Sequence, residues 1–304
     1  MAENLRVIFM GTPEFAVPSL KILLENKINV VAVVTAPDKP QGRGQKISFS
    51  PVKECALRYN VPVLQPTNLK SEEFITTLRS YQADLQVVVA FRMLPEVVWA
   101  MPVIGTFNLH ASLLPQYRGA APINWAIING ERETGVTTFF LQHDIDTGSI
   151  IFQETEPILP TDNAGTLYER LMNKGARLVL KTVQAIANKN YSSTPQQETS
   201  AKHAPKIFKE TCEINWNTST TNIINFVRGL CPYPSAWATL NGKFFKIHKV
   251  SGTSGPDKPA GELNTDSKKY LHVKTADGWI SIDELQPEAK KKMAVEEFFR
   301  GNKL

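Results

Sequence analysis

Between residues 5 and 187 short apolar runs alternate with stretches of helical spacing, and this alternation constrains the fold more than any other feature. Leu5-Arg6-Val7-Ile8-Phe9-Met10 is closed by Gly11, and Phe15, Val17, Leu20, Leu23 and Leu24 then share one helical face. Val30 to Val34 and Val61 to Leu64 are further strand candidates. Glu72 to Tyr81 reads as helix, and Leu85 to Ala90 as a central strand apolar on both faces. Val103 to Leu109 and Val136 to Leu141 follow as strands, with a helix near Pro122 to Asn129 between them and a long helix over Ala164 to Ala187. Strands buried on both faces and alternating with helices predict an α/β domain with a Rossmann-like, mainly parallel sheet.

A chain of 304 residues exceeds what one core usually holds, so two domains are expected. The pattern breaks at the polar stretch Asn188 to Lys206, which contains Ser192-Ser193-Thr194-Pro195-Gln196-Gln197 and has the composition of an exposed linker. The division expected is therefore 1–188, a linker over 189–206, and 207–304. The last part offers a helix over Thr221 to Gly229 and strand candidates at Ala236 to Leu240, Lys243 to Val250, Tyr270 to Thr275 and Trp279 to Leu285. Short strands punctuated by glycines suggest a small barrel or sandwich, with a final helix over Glu288 to Arg300.

No apolar run approaches the roughly 20 residues of a membrane helix, and Met1 to Met10 reads as a first strand rather than a signal peptide. Cys55, Cys212 and Cys231 are scattered and odd in number, which supports neither a disulfide framework nor a zinc cluster and points to a reducing cytosol. A net charge of +5 permits a polyanionic partner without requiring one.

Gly11-Thr12-Pro13-Glu14-Phe15 follows the first strand but lacks the Gly-x-Gly-x-x-Gly pattern of a dinucleotide site. The stretch Phe107 to Gly119 carries more information. Strand periodicity puts Asn108 and His110 on one side and Leu109 on the other, at the strand end where open α/β sheets bind ligands. Taken alone, an Asn and a His that merely close a strand by hydrogen bonding look the same. His143-Asp144-Ile145-Asp146-Thr147-Gly148 is a polar loop after a later strand; it reads as a turn, or as the source of a carboxylate for His110 if the two strand ends meet. A metal is not indicated.

Asn108-x-His110-x-Ser112-Leu113-Leu114-Pro115-x-x-Arg118-Gly119 together with Asp144-x-Asp146-Thr147-Gly148 resembles the folate-dependent formyltransferases. The likeness extends to Phe9 to Phe15, Pro37-Asp38-Lys39-Pro40-x-Gly42-Arg43-Gly44, Ser50-Pro51-Val52-Lys53 and Gly119 to Ile123. Trp216 and Arg228-Gly229-x-x-Pro232-x-Pro234-x-Ala236-Trp237 resemble the OB-like C-terminal β-barrel of the branch that formylates initiator tRNA. One departure is Phe91-Arg92, where the family pattern has a Tyr-Gly-like pair.

The resemblance implies formyl transfer from 10-formyltetrahydrofolate to the amine of initiator methionyl-tRNA; the cysteine usage points to the cytoplasm, and a monomer is the default expectation. Asn108 would meet the developing oxyanion, His110 would relay a proton, and Asp146 would orient the ring and favour its charged form. Ser112, Leu113, Leu114 and Pro115 would line the folate site with Phe91 and Asp144. Lys39, Arg43 and Lys46, on a long loop from Ala36 to Ser50, would contact the acceptor stem, and the lysines of the last domain would add to that surface. The same catalytic set serves enzymes acting on amino sugars or glycinamide ribonucleotide, and one that hydrolyses the formyl group. A non-enzymatic RNA-binding protein is the alternative from another class.

Overall fold

A computed structural model of the chain describes residues 5–41, 46–197 and 201–304. In chain order the elements are β1 (Val7–Gly11), α1 (Val17–Glu25), β2 (Val30–Val34), β3 (Lys39–Gln41), β4 (Lys46–Ser48), α2 (Pro51–Arg58), β5 (Val63–Leu64), α3 (Glu72–Ser80) and β6 (Leu85–Val89). Next are α4 (Glu96–Trp99), β7 (Gly105–His110), β8 (Arg118–Gly119), α5 (Pro122–Ile128), β9 (Glu133–Phe140), β10 (Ile150–Pro157) and α6 (Ala164–Ala187). Beyond them lie β11 (His203–Ala204), α7 (Thr220–Leu230), β12 (Ala236–Leu240), β13 (Lys243–Thr253), β14 (Leu263–Thr265), β15 (Leu271–Lys274), β16 (Trp279–Pro287), β17 (Met293–Ala294) and α8 (Val295–Gly301).

The chain divides into two compact units that interleave in sequence. The first takes Met1–Arg118, Gly135–Glu156 and Tyr168–Lys202; the second takes Gly119–Thr134, Pro157–Leu167 and His203–Leu304.

In the first unit the strand order is β5-β2-β1-β6-β7-β9-β10, seven strands among the described residues. The five from β5 to β7 are parallel, and β9 joins β7 antiparallel, as the apolar runs and intervening helices predict. Ile8, Met10, Ala32, Val34 and Val88 form one face and pack on Phe74 and Leu78 of α3 and Val98 of α4. On the opposite face Leu109 of β7 lies against Gly175 of α6. The helices start where the sequence places caps: Ser50 accepts from the Lys53 amide at 3.1 Å and Ser71 from the Phe74 amide at 3.4 Å.

Some elements differ from the sequence reading. Residues 36–50, read as a loop, contain the β3–β4 hairpin, and α4 was not anticipated. Neither was β10, because after Ile150-Ile151-Phe152 this edge strand continues Gln153-Glu154-Thr155-Glu156 and carries no apolar alternation. The final helix begins at Val295 rather than Glu288, because residues 287–290 form a turn closed by the Lys290 amide on the Pro287 carbonyl at 3.1 Å.

The second unit is a curled antiparallel sheet in the order β12-β13-β16-β15-β14, with β17 on β16. Register shifts in β13 between Ile247 and Val250 bend that long strand, which curls the sheet into the barrel-like form expected. Its core joins Ala238, Phe245, Ile247, Ile280 and Ile282 to Ile223, Val227 and Leu230 of α7 and Phe298 of α8. α5 also belongs to this unit: Asn124 donates to the Gly229 carbonyl of α7 at 2.7 Å. Arg228 donates to the carbonyls of Asp162 and Leu159 at 2.6 and 2.8 Å, tying residues 157–167 to the same helix.

Candidate active site

The site is built at the C-terminal end of β7. Asn108 is paired with Val88 of β6 and Phe139 of β9, and His110 with Thr137. Because Leu109 turns toward α6, alternation sends Asn108 and His110 to the other face. Asn108 is half-buried, and among the described residues its side-chain amide makes no hydrogen bond. Two donors and a carbonyl oxygen are thus left for something else to satisfy.

His110 is only 7% exposed. Its Nε2 lies 2.9 Å from the Tyr117 carbonyl oxygen, which can only accept, so Nε2 carries the proton. In the neutral ring Nδ1 then has the lone pair. Asp146 Oδ2 is 3.8 Å from Nδ1, within ion-pair reach but beyond hydrogen-bond length. The two strand ends do meet, so that Asp146 faces His110, but the ring is oriented by the Tyr117 backbone, a contact that side-chain reasoning does not anticipate.

Residues 111–117 fold over this strand end. Ser112, fully buried, donates to the Gln116 carbonyl at 2.6 Å, while its own carbonyl accepts from Thr137 Oγ1 at 2.6 Å. The Leu114 amide donates to Thr137 Oγ1 at 3.2 Å, and its carbonyl accepts from Gln153 Nε2 at 2.9 Å. The Leu114–Pro115 peptide is cis. Lys202 closes the far side, accepting from the Tyr117 amide at 2.6 Å. Ser112 to Pro115 thus form a fixed wall.

The Asp146 loop is held by Gln196. Its Nε2 donates to the Asp146 carbonyl at 2.8 Å and to the Gly148 carbonyl at 2.9 Å, while its Oε1 accepts from Arg118 Nε at 3.1 Å and Nη2 at 2.6 Å. Nearby, Thr194 and Ile150 exchange backbone hydrogen bonds at 2.8 and 2.9 Å. The stretch read as linker is therefore stitched to the first unit here, and nothing in its polar composition signals this.

Asp144 is exposed on the loop, its carbonyl accepting from Thr147 Oγ1 at 3.0 Å. Phe91 is partly buried against the cluster on the Asn108 side of the sheet. Arg92 turns toward β5, donating to the carbonyls of Pro66 and Thr67. Neither Asp144 nor Phe91 joins the hydrogen-bonded set around His110.

Lys39 is exposed at the start of β3, Lys46 opens β4, and Arg43 lies outside the described residues. The hairpin base is tied by Lys53, which donates to Asp38 at 2.5 Å and to Gln65 at 2.7 Å. In the second unit a groove lined by Ala120, Asn124, Lys206, Lys209, Tyr233 and Pro234 adds cations that sequence reasoning passed over. Lys206 lies 5.3 Å from the Phe208 ring and Tyr233 is 80% exposed, a basic surface with aromatic faces.

Among the described residues no group of three His, Cys, Asp or Glu side chains is placed to hold a metal ion, and no helix is long and apolar enough to cross a membrane.

The family described as Formyl transferase matches residues 4–183, and its C-terminal domain matches residues 206–303. The methionyl-tRNA formyltransferase of Bacteroides thetaiotaomicron is 52% identical over 314 residues, covering 99% of this chain and 97% of its own length. Among solved structures, an N-formyltransferase from Helicobacter canadensis, in complex with folinic acid and dTDP-3-aminofucose, superposes with a TM-score of 0.68 at 24% identity over 95% of this chain and 100% of its own. HypX from Aquifex aeolicus gives a TM-score of 0.67 at 19% identity; 99% of this chain is covered, and the match spans about half of HypX, 48%. At these identities the two structures establish the fold. With both domains matched and more than half the residues shared with a full-length relative, the chain belongs to the formyl transferase family, in its methionyl-tRNA formyltransferase branch.

Proposed function

We propose that this chain transfers the formyl group of 10-formyltetrahydrofolate to the amino group of initiator methionyl-tRNA, with Asn108, His110 and Asp146 at the reacting centre. The observation that carries the reading is the juxtaposition of His110 and Asp146, 3.8 Å apart, beside an Asn108 amide that lacks a partner among the described residues. Asn108 donates to the oxyanion that develops on the formyl oxygen as the amine attacks. His110, with Nε2–H held by the Tyr117 carbonyl, presents Nδ1 as the base that takes the amine proton and later delivers it to the leaving nitrogen. Asp146 faces the nitrogen that gains the proton and balances the resulting charge. Ser112 to Pro115 form the folate-side wall, with Phe91 and Asp144 at its margin.

The acceptor is held by Lys39, Arg43 and Lys46 on the 36–50 segment and by the basic and aromatic groove with Lys206 and Lys209. In this reading residues 1–188 carry the chemistry with the segment up to Lys202 bound against them, and residues 203–304 hold tRNA. The enzyme works in the cytoplasm as a monomer and without a metal.

The test is formylation of methionine-charged initiator tRNA. Asn108→Ala, His110→Ala and Asp146→Ala each lower kcat by on the order of 10²- to 10³-fold with the fold retained. Arg43→Ala mainly raises KM for tRNA. Near-wild-type turnover in one of the three removes that residue from the centre. Formyl transfer to an amino-sugar nucleotide, with none to tRNA, replaces the acceptor while leaving the catalytic set in place.

A further inference from the structure

We propose that Gln196 is a positioning residue for this reaction: it fixes the loop that carries Asp146 by bridging it to Arg118. This rests on the role given to Asp146 above. Within the loop the Thr147 hydroxyl donates to the Asp144 carbonyl at 3.0 Å. Asp144 and Ile145 are exposed, and Asp146 sits in the left-handed region at φ 56°, a conformation that costs an L-residue free energy unless its surroundings impose it.

Gln196 supplies that restraint with every valence of its amide. The two N–H groups go to the Asp146 and Gly148 carbonyls, at 2.8 and 2.9 Å on either side of Thr147, and the oxygen takes two N–H groups of Arg118, at 3.1 and 2.6 Å. Arg118 itself follows directly on the 111–117 stretch, whose Tyr117 carbonyl orients His110. One amide therefore connects the segment that aims the imidazole to the loop that aims the carboxylate. The separation of 3.8 Å between His110 and Asp146 is set from both sides of this bridge. The neighbouring exchange between Thr194 and Ile150 fixes the backbone from which Gln196 reaches.

Two substitutions separate the halves of the bridge. Gln196→Glu keeps the acceptor for Arg118, now as an ion pair, but places a carboxylate against two carbonyl oxygens. Gln196→Ala removes both halves. Single-turnover formylation is measured for each, alone and combined with Asp146→Asn, alongside Tm. The expected result is a kcat lowered by on the order of 10- to 100-fold in both variants, since ångström-scale misplacement of a catalytic group costs that much. KM for folate and for tRNA stays within about twofold, and on the Asp146→Asn background Gln196→Ala adds nothing.

A full, multiplicative loss on that background overturns the proposal, as does a rise in KM for tRNA with kcat unchanged. Wild-type turnover in Asp146→Asn instead removes Asp146 from the centre, which is a failure of the earlier reading. If Gln196→Ala does not fold, Gln196→Met, similar in length and without hydrogen-bonding groups, takes its place.

Discussion

At Gly148 a single hydrogen atom decides the shape of the loop: a Cβ there would overlap the Phe140 carbonyl oxygen. The clash is with backbone at the end of β9, which cannot swing aside as a side chain can. Gly148→Ala is expected to destabilise the protein by about 2–3 kcal/mol and to lower kcat by displacing Asp146. Thermal unfolding read beside single-turnover rates checks both effects; an unchanged Tm removes the steric argument. Residue-scale geometry was partly legible in the sequence. The pair Asn108 and His110 follows from strand alternation, and the partnership of His110 with Asp146 from two strand ends meeting. The Tyr117 carbonyl and Gln196 were not legible, since one acts through backbone and the other reaches 48 and 50 residues back from a polar segment. Backbone acceptors and long-range amides leave no local composition to read.

Among the elements, the β3–β4 hairpin depends on what ties its base. Lys53, at the first turn of α2, reaches back 15 residues to Asp38, and Gln65 donates to the Asp38 carboxylate at 2.8 Å. Hydrogen bonding from Lys53, then from Gln65, holds the Asp38 carboxyl below the usual carboxylate range. A depressed carboxyl stabilises the fold above its unfolded value, and that contribution fades as pH falls through the folded one. The Tm difference between wild type and Lys53→Met is therefore present at neutral pH and closes as pH falls below the ordinary carboxylate value of about 4. A difference that widens in acid contradicts the assignment. Lys53→Met also raises KM for tRNA in the formylation assay, because the segment bearing Lys39, Arg43 and Lys46 loses its anchor. The parallel strands and α6 were readable because burial on both faces leaves continuous apolar runs. Edge strand β10 and the hairpin were not, because pairing rather than burial maintains them.

Taken whole, the second unit is assembled from three separate stretches of chain, and α7 is where they meet. At Gly229 an added Cβ would fall 2.9 Å from the Asn124 carbonyl and closer still to Ile128, so α5 and α7 touch backbone to backbone. A fragment of residues 203–304 therefore lacks the partners of Arg228 and Gly229. Its α7 amides should exchange at least tenfold faster than in the full chain. Equal protection would show that the fragment is self-sufficient. Cys212 and Cys231 are buried in this unit, and burial pushes both thiols up; with Cys55 they should resist alkylation until the protein unfolds. The interleaving also has a consequence for how the protein is made. The α5 face bearing Asn124 and Ile128 leaves the ribosome about 100 residues ahead of the helix that covers it. At roughly 5–20 residues per second it waits about 5 to 20 s for that helix. During synthesis the α5 face thus stays uncovered until α7 has emerged, an exposure set by chain order alone.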